Sequence, residues 1–243
     1  MHRISIFFLT ALFLTAMLLQ TPAAADAPND TLTDTDISRR IDWIQSSLDA
    51  GGASAKRWQY GWSTAYGGLT YLYAGQSLVL DDDDQSDDRY DALVNSAGSL
   101  IGLVGTLAFP MKTHIAAESL KRMPEVTQAQ KEAKLQQAET LLRQSAEREA
   151  QGRCWQAHAF GALVSALAGV AVASDDGRSE DGLIMFATNL LVSEIQIFTT
   201  PTRATTDWKR YQQGRPGQSI KPKAKSRFSI SLLPRGIAAN YLF

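Results

Sequence analysis

Four long, almost charge-free segments dominate the pattern of polar and apolar positions along the chain. They cover residues 58–80, 92–111, 154–174 and 182–201. Each is about 20 residues long, which is enough for a helix to cross a bilayer. Gly, Ala, Ser and Thr dilute all four, so each is only a weakly apolar candidate for insertion. The pattern predicts helices rather than strands.

The connections between these segments differ in length and charge. Residues 81–91 and 175–181 form two short acidic loops, which are typical of helical hairpins. A long charged stretch, residues 112–153, joins the second segment to the third, and Pro124 suits the first turn of a helix there. A basic tail follows Pro201.

An amphipathic helix precedes the first segment. Apolar residues recur at helical spacing, and Asp36 is placed to cap the helix N-terminus. The paired glycines Gly51 and Gly52 are expected to weaken or end this helix. The apolar positions are Ile37, Ile41, Ile44 and Leu48.

The two halves of the chain resemble one another. A shift of 94 residues brings Gly67 onto Gly161, and a shift of 91 brings Pro110 onto Pro201. The acidic loops fall at corresponding places under the same alignment. The alignment predicts duplication of one unit, an amphipathic helix followed by an apolar hairpin.

The predicted fold class is therefore all-α, with two duplicated apolar helical hairpins and charged amphipathic helices. A short β-hairpin is expected at the C-terminus, because apolar residues alternate around the turn Pro234-Arg235-Gly236. The predicted organisation is a signal peptide, a disordered N-terminus, a first and a second helix-plus-hairpin unit, and a basic tail with the β-hairpin: 1–25, 26–35, 36–111, 112–203 and 204–243.

The N-terminus has the three parts of a secretory signal peptide. Arg3 supplies a positive charge, residues 4–19 are apolar, and Ala23-Ala24-Ala25 offers an A-x-A cleavage site. An uncleaved anchor helix is the alternative. In both cases we expect export to the bacterial cell envelope. The sequence does not decide between the inner and the outer membrane.

Composition narrows the function classes. The chain has 24 Lys+Arg against 25 Asp+Glu, so it lacks the basic excess of a nucleic-acid binder. Its single cysteine, Cys154, excludes disulfides within the chain and multi-cysteine metal sites. No nucleotide-binding or hydrolase motif is present. The sequence predicts no catalytic, cofactor-binding or metal-ligating residues and no enzyme.

Small residues recur every four positions on two of the apolar segments. Such faces let helix backbones approach closely, and in lipid they commonly mediate helix association. The predicted helix-packing residues are Gly98 and Gly102 on the second segment and Ala157, Gly161, Ser165, Gly169 and Ala173 on the third.

His158 and Glu194 are predicted to form a polar pair within the apolar region, across the second hairpin. A structural hydrogen bond is one interpretation of this pair. The other is a functional ionisable pair, since ionisable groups inside membranes are rare and usually functional.

The leading hypothesis is a non-enzymatic membrane protein that scaffolds or anchors partners in the envelope. The expected partners are membrane lipid and either another protein or a second copy of the chain. The alternative is an exported helical bundle that binds a lipid or another apolar ligand. If all four segments crossed the inner membrane, the acidic loops would face the cytoplasm, against the positive-inside tendency.

Overall fold

The computed structural model describes residues 33–80 and 85–214, together with the backbone of residues 227–233 and 236–242. The chain divides into two units after Thr33, and everything below concerns the second unit. The predicted signal peptide and residues 26–32 lie outside the described residues, so both stay predictions.

The described chain is mostly helical, which confirms the predicted helical class. The helices are α1 (Asp34–Val79), α2 (Ser86–Ala108), α3 (Thr113–Lys121), α4 (Gln128–Gln151), α5 (Trp155–Ser174), α6 (Ser179–Thr199) and α7 (Arg203–Gln212). The backbone of β1 (Arg227–Leu233) pairs antiparallel with that of β2 (Gly236–Leu242). The side chains of both strands lie outside the described residues, and the C-terminal β-hairpin stays a prediction.

Helix α1 is one continuous helix of 46 residues, so the predicted end of a helix at Gly51 and Gly52 is wrong. Instead, the two glycines allow α3 to cross α1 at a short distance. A Cβ at Gly51 would lie 3.1 Å from the Thr113 side chain, and one at Gly52 would lie 3.3 Å from the His114 backbone. The packing of α3 against this face offsets the cost of two interior glycines, about 1 kcal/mol each.

Two predicted helix starts also need correction. Helix α1 begins at Asp34, which places Asp36 in its first turn rather than at the cap and shortens the predicted disordered segment. Pro124 lies in the connection between α3 and α4 and not in a first turn. Helix α4 begins after Thr127, whose side chain forms a reciprocal capping box with Gln130.

The amphipathic helices form a base, which consists of residues 34–57 of α1 together with α3, α4 and α7. Their apolar stripes meet in a core where Ile44, Leu48, Leu120 and Leu142 are wholly buried. Burial of each such side chain stabilises the fold by about 1.5–3 kcal/mol. The most polar helices of the chain thus build its best-packed region.

Two helical hairpins extend from the base. The first hairpin is residues 58–79 of α1 with α2, and the second hairpin is α5 with α6. They lie side by side through α2 and α5, where the Tyr90 hydroxyl donates to the Ala171 carbonyl at 3.4 Å. The ends farthest from the base, which carry the acidic connections, are called the tips. Residues 81–84 of the first tip lie outside the described residues.

Candidate functional site

The outer surface of both hairpins is apolar. Tyr71 is 83% exposed and Leu183 is 66% exposed. A water-soluble monomer rarely shows so many large apolar side chains on contiguous helices. The other exposed members of this surface include Leu72, Leu78, Leu93, Leu100, Leu107, Val170, Ile184, Leu191 and Phe198.

Three helical stretches of the described chain are long and apolar enough to cross a membrane. They are Ser86–Lys121, Trp155–Ser174 and Ser179–Gln212, and only 11%, 22% and 11% of their most apolar windows are buried within the protein. Residues 58–80 do not qualify, so the expectation of four insertion candidates is reduced to three. Tyrosines, glycines and two glutamines make this part of α1 more polar than the other three helices.

The predicted small-residue face on α5 lies against α6. A Cβ at Gly161 would overlap the Ser193 side chain, and one at Gly169 would lie 2.7 Å from the Gly182 carbonyl oxygen. Ser165, buried between the two glycines, donates to the Gly161 carbonyl at 2.8 Å. The Ser193 side chain therefore packs onto the backbone at Gly161, and the backbones of α5 and α6 approach closely at Gly169.

The ends of this face are less enclosed. Ala173 is half-buried, and its Cβ would lie 2.6 Å from a Cβ at Gly182, so the methyl group fits only because that position is glycine. Ala157 is half-buried at the base end of α5. The contact between α5 and α6 is therefore close from Gly161 to Ala173 and looser at Ala157.

On α2 the two predicted glycines have different surroundings. A Cβ at Gly102 would overlap the aromatic ring of Tyr66, which packs into the space that the glycine leaves. A Cβ at Gly98 would meet none of the described atoms within 4 Å. The structure therefore places Gly102, and not Gly98, at the contact between α1 and α2.

The structure brings His158 and Glu194 together at the base end of the second hairpin. His158 Nδ1 lies 2.9 Å from one carboxylate oxygen of Glu194 and 3.0 Å from the other. Both side chains are partly exposed, and the His158 ring meets the edge of the Phe198 ring at a centroid distance of 5.7 Å. The pair thus lies on the outer surface of the hairpin rather than in its interior.

Polar aromatic side chains link the first hairpin to α6. The Trp58 indole N–H donates to the Gln196 carbonyl at 3.3 Å, and the Trp62 indole N–H donates to the Thr199 hydroxyl at 3.2 Å. The Tyr66 hydroxyl donates to the Gln196 side-chain oxygen at 2.8 Å. These three aromatic side chains of the first segment therefore serve contacts within the protein.

Arg178 joins the two tips. Its guanidinium lies 2.8 Å from Asp91 and 3.6 Å from Asp87 of the first hairpin, and 3.3 Å from Asp175 of its own connection. The hydrogen bond to Asp91 is the main reason that the pKa of Arg178 is raised. One cation is thus shared among several carboxylates where the hairpins meet.

A second polar cluster, which the sequence did not reveal, lies in the base between α1, α4 and α7. Glu149 and Asp207 are each only 1% exposed. Glu149 Oε2 accepts from the backbone N–H of Thr205 at 2.9 Å, so this carboxylate caps the first turn of α7 from another helix. Arg203 Nε lies 3.3 Å from Asp207 Oδ2. Glu149 Oε1 has no hydrogen-bond partner among the described residues.

Burial raises the pKa of both carboxyl groups in this cluster. The pKa of Glu149 is raised mainly by desolvation, which the hydrogen bonds at the α7 terminus oppose. The pKa of Asp207 is raised by the same cause and lowered by Arg203. The signal in the sequence was the position of Glu149, which continues the apolar stripe of Ala138, Leu142 and Ala146 at helical spacing.

Among the described residues, no three His, Cys, Asp or Glu side chains converge in a way that could hold a metal ion. Comparison with known proteins found no family model, no curated protein and no solved structure that matches the chain. The contacts and the exposed surfaces described above therefore carry the functional argument alone.

Proposed function

We propose that the protein is a non-enzymatic scaffold of the bacterial envelope, with both hairpins in lipid and the base displayed in water for partners. Residues 58–79, which are too polar to qualify as a span alone, would enter the lipid bonded to α2 and α6. The observation that carries the proposal is the exposed apolar surface of the hairpins beside a base with a closed core. Each helix of the second hairpin is about 30 Å long, which matches the hydrocarbon thickness of a bilayer.

The N-terminal sequence supports the exported location. If the chain enters the membrane behind a signal peptide, the base lies on the exported side and the acidic tips on the other side, against the positive-inside tendency. Aromatic residues at the boundary of the base fit this position, because Trp and Tyr favour membrane interfaces. Trp155 is 73% exposed at the start of α5, and Tyr60 is exposed on α1.

Paired contacts support duplication of one unit. Gly52 meets the backbone of His114, and at corresponding positions the Ala146 carbonyl accepts from the Thr205 hydroxyl at 3.0 Å. Gln59, in the first unit, donates to the Thr106 carbonyl near the end of α2 at 2.7 Å. We infer that the two units arose from one ancestor.

Arg153 is the counterpart of Gln59 in the second unit. It donates to the Phe198 carbonyl at 2.9 Å and to the Thr200 carbonyl at 3.1 Å, at the end of α6. In both units a polar side chain thus binds free carbonyls where the hairpin returns to the base. This shared device supports a scaffold of two related halves.

Labelling of single cysteines with a membrane-impermeant reagent tests the proposal. Cys154→Ser provides the background, and cysteines are introduced at three exposed positions: Ser119 in the base, Ala187 midway along α6 and Ser179 at the tip. In intact membrane preparations we expect Ser119→Cys to be labelled from the exported side, Ser179→Cys only from the opposite side, and Ala187→Cys only after detergent is added.

Labelling at all three positions without detergent, together with release of the protein by an alkaline wash, would contradict membrane insertion. The exported bundle that binds an apolar ligand would then take its place. Purification with stoichiometric lipid from the soluble fraction would identify that alternative directly.

A further inference from the structure

We infer that the base end of the second hairpin holds a surface site for the headgroup of a phospholipid that carries both a phosphate and a primary ammonium group. This inference rests on the proposed membrane insertion of the hairpins. The site lies where α5 begins and α6 ends, and consists of the exposed residues Arg153, Trp155 and Phe198 with the partly exposed pair His158 and Glu194.

The depth of these residues matches the headgroup region. His158 lies three residues into α5, about 5 Å along its axis, and Glu194 lies about 8 Å before the end of α6. Trp155, at the start of α5, marks the interface, where exposed Trp is favoured. The pair therefore sits just inside the boundary between base and hairpin, and not at the centre of the hydrocarbon.

The charges complement a zwitterionic headgroup. Within the described part of the chain, one terminal nitrogen of the exposed Arg153 guanidinium makes both contacts to the α6 carbonyls, which leaves its other N–H groups to donate to a phosphate. Glu194 offers a carboxylate that can accept from an ammonium group. Phe198 joins the two sides, since its carbonyl binds Arg153 and its ring meets that of His158.

His158 holds the carboxylate in place. With the proton on Nδ1, the ring donates to Glu194 whether it is neutral or charged, so the second lone pairs of the carboxylate remain available. Phe198 is 64% exposed and Ile195 is also exposed beside it, which supplies an apolar surface for the start of an acyl chain. These features favour a bilayer lipid over free phosphate, which would leave Glu194 and the apolar surface unused.

The test uses the full chain reconstituted in vesicles of equal phosphatidylethanolamine and phosphatidylcholine, followed by mild detergent extraction and quantification of the retained lipids. Phosphatidylcholine has the same phosphate and charge but no N–H donor. We expect about tenfold enrichment of phosphatidylethanolamine, the factor given by one hydrogen bond between charged groups. Glu194→Gln should abolish the enrichment, and Arg153→Gln should lower retention of both lipids.

Glu180→Gln, at the exposed far end of the same helix, is the matched control and should leave the enrichment unchanged. Circular dichroism verifies that each variant keeps its helix content, and the isosteric Glu194→Gln decides the test if Arg153→Gln does not fold. Retained lipid at the bulk ratio in protein that floats with vesicles overturns the headgroup site alone. Protein that does not float overturns both this site and the proposed membrane insertion.

Discussion

The base and the hairpins differ in how far their large apolar side chains are buried. In the base, a sequence rich in charge buries nearly all its large aliphatic side chains, such as Leu120 and Leu142. In the hairpins, a sequence almost free of charge leaves such residues exposed, among them Leu183 and Leu191. Glycines allow close contacts between hairpin helices, as at Gly169.

Under the proposed membrane insertion, this difference reflects two solvents, water around the base and lipid around the hairpins. In water the base gains stability from apolar burial, so large side chains turn inward. In lipid that driving force between helices is absent, and close backbone packing and hydrogen bonds replace it. The hydrogen bonds that Trp58, Trp62 and Tyr66 donate to α6 are of this second kind. The predictions below test the two regions separately.

The largest effect is expected from a truncation in the core of the base. Leu142→Ala removes a wholly buried side chain from α4, which should lower the free energy of unfolding by about 2–5 kcal/mol. The matched change Leu191→Ala affects an exposed leucine of α6 and should alter stability by less than about 0.5 kcal/mol. Urea unfolding in detergent measures both. Equal losses would show that the hairpin surface is also a packed core.

The next effect separates two glycines on one hairpin helix. Gly102→Leu forces a side chain into the Tyr66 ring, and such overpacking typically costs about 1–3 kcal/mol. Gly98→Leu, one helical turn away, meets open space and should be tolerated. Thermal unfolding of both variants in the same detergent compares them. A larger loss of stability for Gly98→Leu than for Gly102→Leu would contradict the contact between Gly102 and Tyr66.

The sequence predicted the helical class and much of the hairpin arrangement because those features depend on local pattern. Charge-free stretches of about 20 residues, bounded by acidic loops, indicate hairpins without any tertiary information. The i, i+4 spacing of small residues on α5 likewise indicates that the face with Gly161 and Gly169 packs against another helix. The meeting of His158 and Glu194 followed from their places on adjacent antiparallel helices.

The remaining features could not be predicted because they depend on contacts between distant segments. Gly51 and Gly52 resemble a helix break until α3 is seen to cross them. The sequence predicts a basic tail after Pro201, and it gives no sign that residues 203–212 form helix α7. The cluster of Glu149 and Asp207 joins two helices more than 50 residues apart, and only the position of Glu149 on an apolar stripe hinted at burial.

A smaller effect is expected from pH, and it concerns the base alone. The raised pKa of Glu149 and Asp207 means that the folded state binds protons more tightly than the unfolded state. Their contribution to stability is therefore greatest below the ordinary carboxyl pKa of about 4 and is lost as pH rises through the raised values. Other acidic groups act in the opposite sense, so the effect is read as a difference between variants.

Glu149→Gln isolates this contribution, because glutamine keeps an oxygen that can accept from the Thr205 N–H but cannot ionise. We expect the variant to gain stability relative to the parent as pH rises from about 4 to 8. Glu132→Gln, an exposed position on the same helix, is the control. Melting temperatures across this pH range measure the difference. A parent-to-variant difference that does not change with pH would contradict the burial of an ionisable carboxyl group.

The smallest effect is expected at the tips. Arg178→Gln removes a cation that bridges Asp91 of the first hairpin and Asp175 of the second, and leaves their carboxylates to repel each other. Ion pairs near the surface contribute about 0–1 kcal/mol, so the melting temperature should fall only slightly. Because salt screens exposed charges, the difference from the parent should shrink further at 1 M NaCl. Arg143→Gln, on α4 in the base, controls for loss of charge and should show a smaller salt dependence. A loss that salt does not reduce would mean that Arg178 is part of a desolvated contact between the hairpins, and the tips would then belong with the base as a packed region.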